Sequence, residues 1–107
     1  MLGDGAAFTP GSGWTPISSV DAPAARKLHS AGFVDGRMVV WGGISEQAEG
    51  GWATDGGVYD PVTDSWATMN DANTPEGRIY NTVNVCGKKL VVFGGRNDSV
   101  LGDGGIY

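Results

Sequence analysis

The chain has 107 residues, one domain's worth, with a formal net charge of −5 and nineteen glycines. An acidic balance without a basic stripe excludes a nucleic-acid backbone as a partner, and no apolar run approaches the roughly 20 residues that span a bilayer. The opening "MLGDGAAFTP" has neither the basic nor the long apolar region of a secretory signal, and a lone Cys86 leaves no intrachain disulfide and the compartment open.

Glycine far above its usual share of about 7%, with little helical periodicity, points to an all-β chain with many turns. Residues 1–17 carry two short strand signals, one over "AAF" and one over Gly13–Ile17. Leu28–Val34 is the first strand of the next segment. Asp35-Gly36 follows, a dipeptide suited to a two-residue type I′ hairpin turn. The strand "RMVVWGG" (Arg37 to Gly43) then stops at two adjacent glycines, and residues 44–54 form a loop. Gly56–Tyr59 is a third strand. "DPVTDS" sets a turn through Pro61, and Ser65–Met69 is a fourth strand. After a loop over 70–79, Tyr80–Cys86 alternates with period two, Gly87-Lys88 turns the chain, and "KLVVFGG" (Lys89 to Gly95) again ends on two glycines. A shorter loop, 96–102, leads to Gly104–Tyr107.

These elements are copies of one unit. With no gap, residues 14–43 overlay 66–95, matching Trp14/Trp66, Pro23/Pro75, Arg26/Arg78, Val39/Val91, Val40/Val92, Gly42/Gly94 and Gly43/Gly95. "TDGGVY" (Thr54 to Tyr59) matches "GDGGIY" (Gly102 to Tyr107) in a shifted frame, because the first copy's loop is four residues longer. "LGDGAAF" at the start matches "LGDGGIY" at the end. The expected division is strands three and four of a partial unit over 1–17, a complete unit over 18–69, and strands one to three of another over 70–107. Four antiparallel strands every 50 residues or so make the blade of a β-propeller.

A diglycine after an apolar strand, then a Tyr and then a Trp seven residues later (Gly42-Gly43, Tyr59, Trp66), resembles the kelch repeat. The partial copy departs mildly, with Phe8 in the Tyr place. The resemblance implies blades of a kelch-type propeller, a fold that usually has six or seven. Two blades cannot close a ring. The chain is therefore expected either to be a fragment of a longer propeller or to close a six-bladed ring as a trimer. Tyr59 and Trp66 are expected to fill the wedge between blades, and the glycines to admit close approach of backbone near a crowded axis.

Few residues suggest chemistry. His29 has no partner placed by any motif and is expected to pack or hydrogen-bond between blades. Cys86, ending an alternating run, is expected to be a buried, inert thiol. No His/Cys spacing suits zinc, the "GDG" triplets fall short of a calcium ligand set, and no glycine-rich stretch has the P-loop lysine. Asn97-Asp98-Ser99 fits a glycosylation sequon. The copper enzymes among kelch-type propellers need tyrosines, a cysteine and several histidines, a set that a single histidine does not supply. The expectation is thus a non-catalytic module without cofactor or metal. It would bind a protein or small ligand through the 2–3 and 4–1 loops, which emerge at one end of a blade. Candidate binding residues are Arg26 and Arg78, whose repetition at the end of each 4–1 loop argues instead for tying backbone carbonyls between blades, and the non-repeating Glu46, Trp52 and Arg96. The alternatives are a piece of a kelch-type carbohydrate-active enzyme and a purely structural or designed propeller fragment.

Overall fold

A computed structural model describes residues 1–107. The chain is all-β and forms three antiparallel sheets. β1 (Ala6–Thr9) and β2 (Gly13–Pro16) make a hairpin; β3 (Ser30–Val34), β4 (Arg37–Trp41), β5 (Gly56–Asp60) and β6 (Ser65–Thr68) make a four-stranded meander; β7 (Thr82–Cys86), β8 (Lys89–Phe93) and β9 (Gly104–Ile106) make a three-stranded one. Each sheet is a blade or part of one, in consecutive strand order.

The strand-one elements start two residues later than their sequences suggest. Leu28 and Tyr80 both adopt a left-handed backbone, φ +57°, which interrupts extended chain and delays β3 and β7 to Ser30 and Thr82. The Asp35-Gly36 turn has positive φ at both residues, the requirement of type I′.

The registers explain the aromatic pattern. Tyr59 faces Trp66 across β5 and β6, and Phe8 faces Trp14 across β1 and β2. Ring centroids are 5.2 Å apart in each pair, tilted by 48° and 54°. That geometry suits aromatic quadrupoles. Trp66 Nε1 donates to the Ser18 carbonyl at 2.8 Å, tying the meander to the segment that leaves the first hairpin. The Tyr59 hydroxyl donates to Asp64 Oδ1 at 2.7 Å, and the same oxygen accepts the Ser18 N–H at 2.8 Å.

The core lies between the two larger sheets. Val34, Val39 and Trp41 of one meet Leu90 and Val92 of the other, flanked by half-buried Val58, Met69 and Val83. Fully burying one such side chain stabilises by about 1.5–3 kcal/mol, so this seam holds the two blades together. The repeat also shows what the seam lacks on its far side. Trp41 is 4% exposed, yet its counterpart Phe93 is 58% exposed. Cys86 corrects the expectation of a buried thiol for the same reason: its counterpart Val34 is covered by the next blade, and within this chain nothing covers Cys86.

The first diglycine meets backbone of the next blade, a Cβ on Gly42 standing 3.4 Å from the Arg78 carbonyl oxygen, and backbone of its own blade more closely. At Gly43, φ is +86° and a Cβ would stand 2.5 Å from the Lys27 carbonyl oxygen, in the same blade. Only its N–H reaches the neighbour, donating to the Arg78 carbonyl at 3.1 Å. Gly95 repeats the contact against Ile79 O. The two larger blades also come close at Gly77, where a Cβ would meet Ala53 O at 2.6 Å, and at Gly32, where it would meet Leu90 Cδ1.

Candidate functional site

The 2–3 and 4–1 loops meet at one end of the blades. Each 2–3 loop is tied to the entry of its blade's first strand by a two-way backbone pair. Lys27 and Ile44 exchange N–H···O bonds at 3.0 and 2.9 Å, and Ile79 and Arg96 do so at 2.9 Å each way. Side chains of the same loops add to this. Asn97 Nδ2 donates to Glu76 Oε2 at 3.2 Å within the last blade, and Trp52 Nε1 donates to Asp98 Oδ2 of the next blade at 3.4 Å. A loop face is therefore assembled from residues far apart in sequence.

The five sequence candidates separate into frame and surface. Arg26 and Arg78 are buried, with side chains 4% and 0% exposed. Arg26 Nη1 donates to the carbonyls of Gly42 (3.1 Å) and Asp55 (3.0 Å), its Nε to Ala24 O, and its Nη2 to Asp55 Oδ1 at 3.0 Å. Arg78 repeats this on Gly94, Asp103 and Glu76. These carbonyls end β4 and β8 and precede β5 and β9, so each guanidinium closes the base of its own blade's 2–3 loop rather than linking two blades. One difference separates the copies. Asp103 Oδ1 sits on Nη1 of Arg78, and Nη2 is left buried without a partner. The hydrogen bond from Arg78 is the main reason the Asp103 carboxyl titrates below its ordinary value of 3.8.

Glu46, Trp52 and Arg96 lie towards solvent. Glu46 and Arg96 are exposed and Trp52 is half-buried. Arg96 spends only its Nε, on the Asn97 carbonyl at 3.3 Å. Glu46 and Trp52 belong to the first 2–3 loop and Arg96 to the second, which Trp52 reaches through Asp98.

Two concave spaces adjoin these loops. The first, about 440 Å³, is lined chiefly by Ser45, Gln47, Glu49, Trp52, Thr54 and Asp55. Of these, Ser45, Gln47, Glu49, Thr54 and Asp55 were not singled out from sequence. The available signal was the four-residue excess of this loop over its second copy. Isolated bridges define where that excess goes: Ile44 pairs with Trp52, and Arg96 with Val100. The interval is 45–51 in the first copy and only 97–99 in the second, so the extra residues build a wall that the second blade lacks. The second space, about 270 Å³, lies between the β1–β2 hairpin and the β3–β6 sheet, with Ile17, Met38, Val40 and Trp66 beside Arg26 and His29. His29 precedes β3 and is exposed, not packed within the strand. Partial burial of its ring, and then the positive charge of Arg26, lower its pKa below 6.5 and favour the neutral imidazole. No group of three or more His, Cys, Asp or Glu side chains is gathered to hold a metal ion.

No protein-family model matches the chain. It is similar to the N-acetylneuraminate epimerases of Shigella flexneri serotype 5b (strain 8401) and of Shigella flexneri, 30% identical to each over 90 residues, which is 82% of this chain and 24% of each relative. The solved structure of YjhT, a β-propeller, superimposes with a TM-score of 0.60 at 29% identity, over 78% of this chain and 25% of that one. The chain thus spans about a quarter of the length of these relatives. The architecture is that of propeller blades. The expectation of a non-catalytic module is corrected by the same comparison, because the sequence relatives are named as enzymes. The missing copper set addressed one oxidative chemistry only, and said nothing about an epimerisation.

Proposed function

We propose that this chain supplies successive blades of a kelch-type propeller enzyme that epimerises a sugar acid of the N-acetylneuraminate class. The observation carrying this reading is the 30% identity over 90 residues to the two epimerases. The open sheet faces support the ring context. Phe93 (58%) and Ile106 (69%) on one side and Phe33 (61%) on the other are far too exposed for large apolar side chains of an isolated domain. These are the faces on which neighbouring blades stack, contributed by the same polypeptide or by further copies of this chain. Three copies carry 27 strands, enough for six four-stranded blades with one strand three surplus at each junction.

In this reading Arg26 and Arg78 hold the loop bases, and the loop face meets the sugar. Arg96, with both terminal nitrogens free of partners in the chain, is the group suited to a sugar carboxylate, because a guanidinium fork matches its two oxygens. Glu46 supplies an exposed acceptor for sugar hydroxyls. The test pairs activity with mass. Full chain is incubated with N-acetylneuraminate, epimer exchange is followed by proton NMR, and light scattering reports whether a ring has closed. Exchange faster than in buffer, slowed by Arg96→Ala through a raised KM, is the expected result. A closed ring that leaves the exchange rate at the buffer value overturns the proposal.

A further inference from the structure

We infer that the pocket built by the longer 2–3 loop, residues 45–51 with Trp52, Thr54 and Asp55, is a binding site for a neutral pyranose. The inference does not rest on the preceding reading, since the ligand proposed there is an anion.

The pocket's volume, about 440 Å³, lies within the range of small-molecule sites. Part of its polar lining, Asp55 and Ser45, is held in place. Arg26, buried behind it, holds Asp55 at two points, the carbonyl and Oδ1, each at 3.0 Å. The Asp55 side chain is nevertheless 61% exposed. One carboxylate oxygen is thereby anchored and the other presented. Ser45, 1% exposed, accepts the Gln47 N–H at 3.3 Å and keeps its own hydroxyl hydrogen to give. Gln47 offers an amide that both donates and accepts, and Glu49 a second carboxylate. Vicinal hydroxyls of a pyranose both donate and accept, which this mixture answers. Trp52 contributes carbon surface: its N–H is engaged by Asp98 of the next blade, so the ring lines the pocket with its apolar part. An apolar face beside fixed polar groups suits a sugar ring, which carries C–H groups on one side and hydroxyls at its rim.

Charge chooses among ligand classes. Glu49 and Asp55 line the pocket and no Lys or Arg does. A sugar carboxylate would face like charge in a partly desolvated site. Arg26 compensates Asp55, which leaves little excess negative charge to attract a polycation. The loop comparison adds an internal control. The second blade has the same frame, Arg78 with Asp103, but brackets only 97–99 and places Val100 where Trp52 stands. The frame is thus common to both copies, and the pocket belongs to the insert.

The experiment titrates full chain with methyl α-glucopyranoside, methyl α-galactopyranoside and methyl α-mannopyranoside, and separately with N-acetylneuraminate and spermidine, reading the Trp52 indole N–H resonance. At least one neutral glycoside is expected to give a saturable shift. Trp52→Ala, followed by competition with a fluorinated form of that glycoside, is expected to weaken binding about tenfold. Replacing 45–51 by Asn-Asp-Ser, the length of the second loop, is expected to abolish it with the melting temperature held within a few degrees. If that replacement fails to fold, Trp52→Ala alone decides. No saturable shift with any of the three glycosides overturns the inference. So does tighter binding of spermidine, or of N-acetylneuraminate to the Arg96→Ala variant, at this resonance, or undiminished glycoside binding by Trp52→Ala. Because this readout is binding at Trp52 and not epimer exchange, it fails or succeeds independently of the catalytic proposal.

Discussion

Gly77→Ala isolates a close backbone contact between the two blades. Gly77 is buried and its φ is not positive, so alanine is conformationally allowed there. The obstacle is the neighbouring blade: a Cβ would stand 2.6 Å from Ala53 O and 2.7 Å from the Trp52 carbonyl carbon and oxygen. Ordinary contact begins near 3.4 Å, so backbones must part by about 0.8 Å. They are not free to do so. Ala53 N–H is bonded to Gly43 O at 3.0 Å, and Gly43 N–H to Arg78 O at 3.1 Å, which closes a short circuit across the seam. Overpacking of this kind costs about 1–3 kcal/mol. The reduced freedom of the unfolded chain returns about 0.4–1 kcal/mol. Central values leave a net loss of about 1.3 kcal/mol, which lowers the melting temperature of a chain this size by roughly 5–10 °C. Gly102→Ala is the control, because a Cβ there meets nothing within 4 Å and φ is not positive. Thermal melts by circular dichroism of the two variants decide the matter. Equal melting temperatures would refute the argument that this glycine is required by the seam.

The remaining predictions concern the frame and its titrating groups. Arg78→Lys is expected to destabilise by about 3 kcal/mol or more in urea unfolding, because one ammonium cannot serve the carbonyls of Glu76, Gly94 and Asp103 that the planar fork reaches together; a loss below about 1 kcal/mol would count against it. Acid unfolding is expected in two windows. Asp64, held below 3.8 first by the Ser18 N–H and then by the Tyr59 hydroxyl, contributes stability that is present above pH 3.8 and fades as pH falls through its lowered folded pKa. His29, also lowered, binds its proton more readily unfolded than folded, so its part of the loss begins as pH falls through 6.5. His29→Asn, the residue of the second copy at Asn81, is expected to flatten the upper window and leave the lower one; an unaltered profile above pH 5 would contradict this.

Much of the architecture was legible because its signals are local and repeated. The Asp35-Gly36 turn, the period-two strand before Cys86 and the Tyr-to-Trp spacing each report a backbone geometry within a few residues, and two copies confirmed one another. The strand starts were misplaced because nothing about Leu28 or Tyr80 announces a left-handed backbone; that conformation is imposed by the two-way bond of the preceding residues, Lys27 and Ile79, to the 2–3 loops.

What the sequence by itself determined is the unit: four strands, their turns, and a frame of Arg, Gly-Gly, Tyr and Trp repeated with an offset of 52 residues over most of its length. Only the tertiary structure decided which surfaces those units bury and which they offer. It turned Arg26 and Arg78 inward, left Cys86 and Phe93 uncovered, and made a pocket from the four extra residues of one loop. The physical reason is that hydrogen-bond geometry and turn propensity act over a few residues. Burial depends on which blade lies alongside, and a repeat carries the same residues into a covered position and an open one.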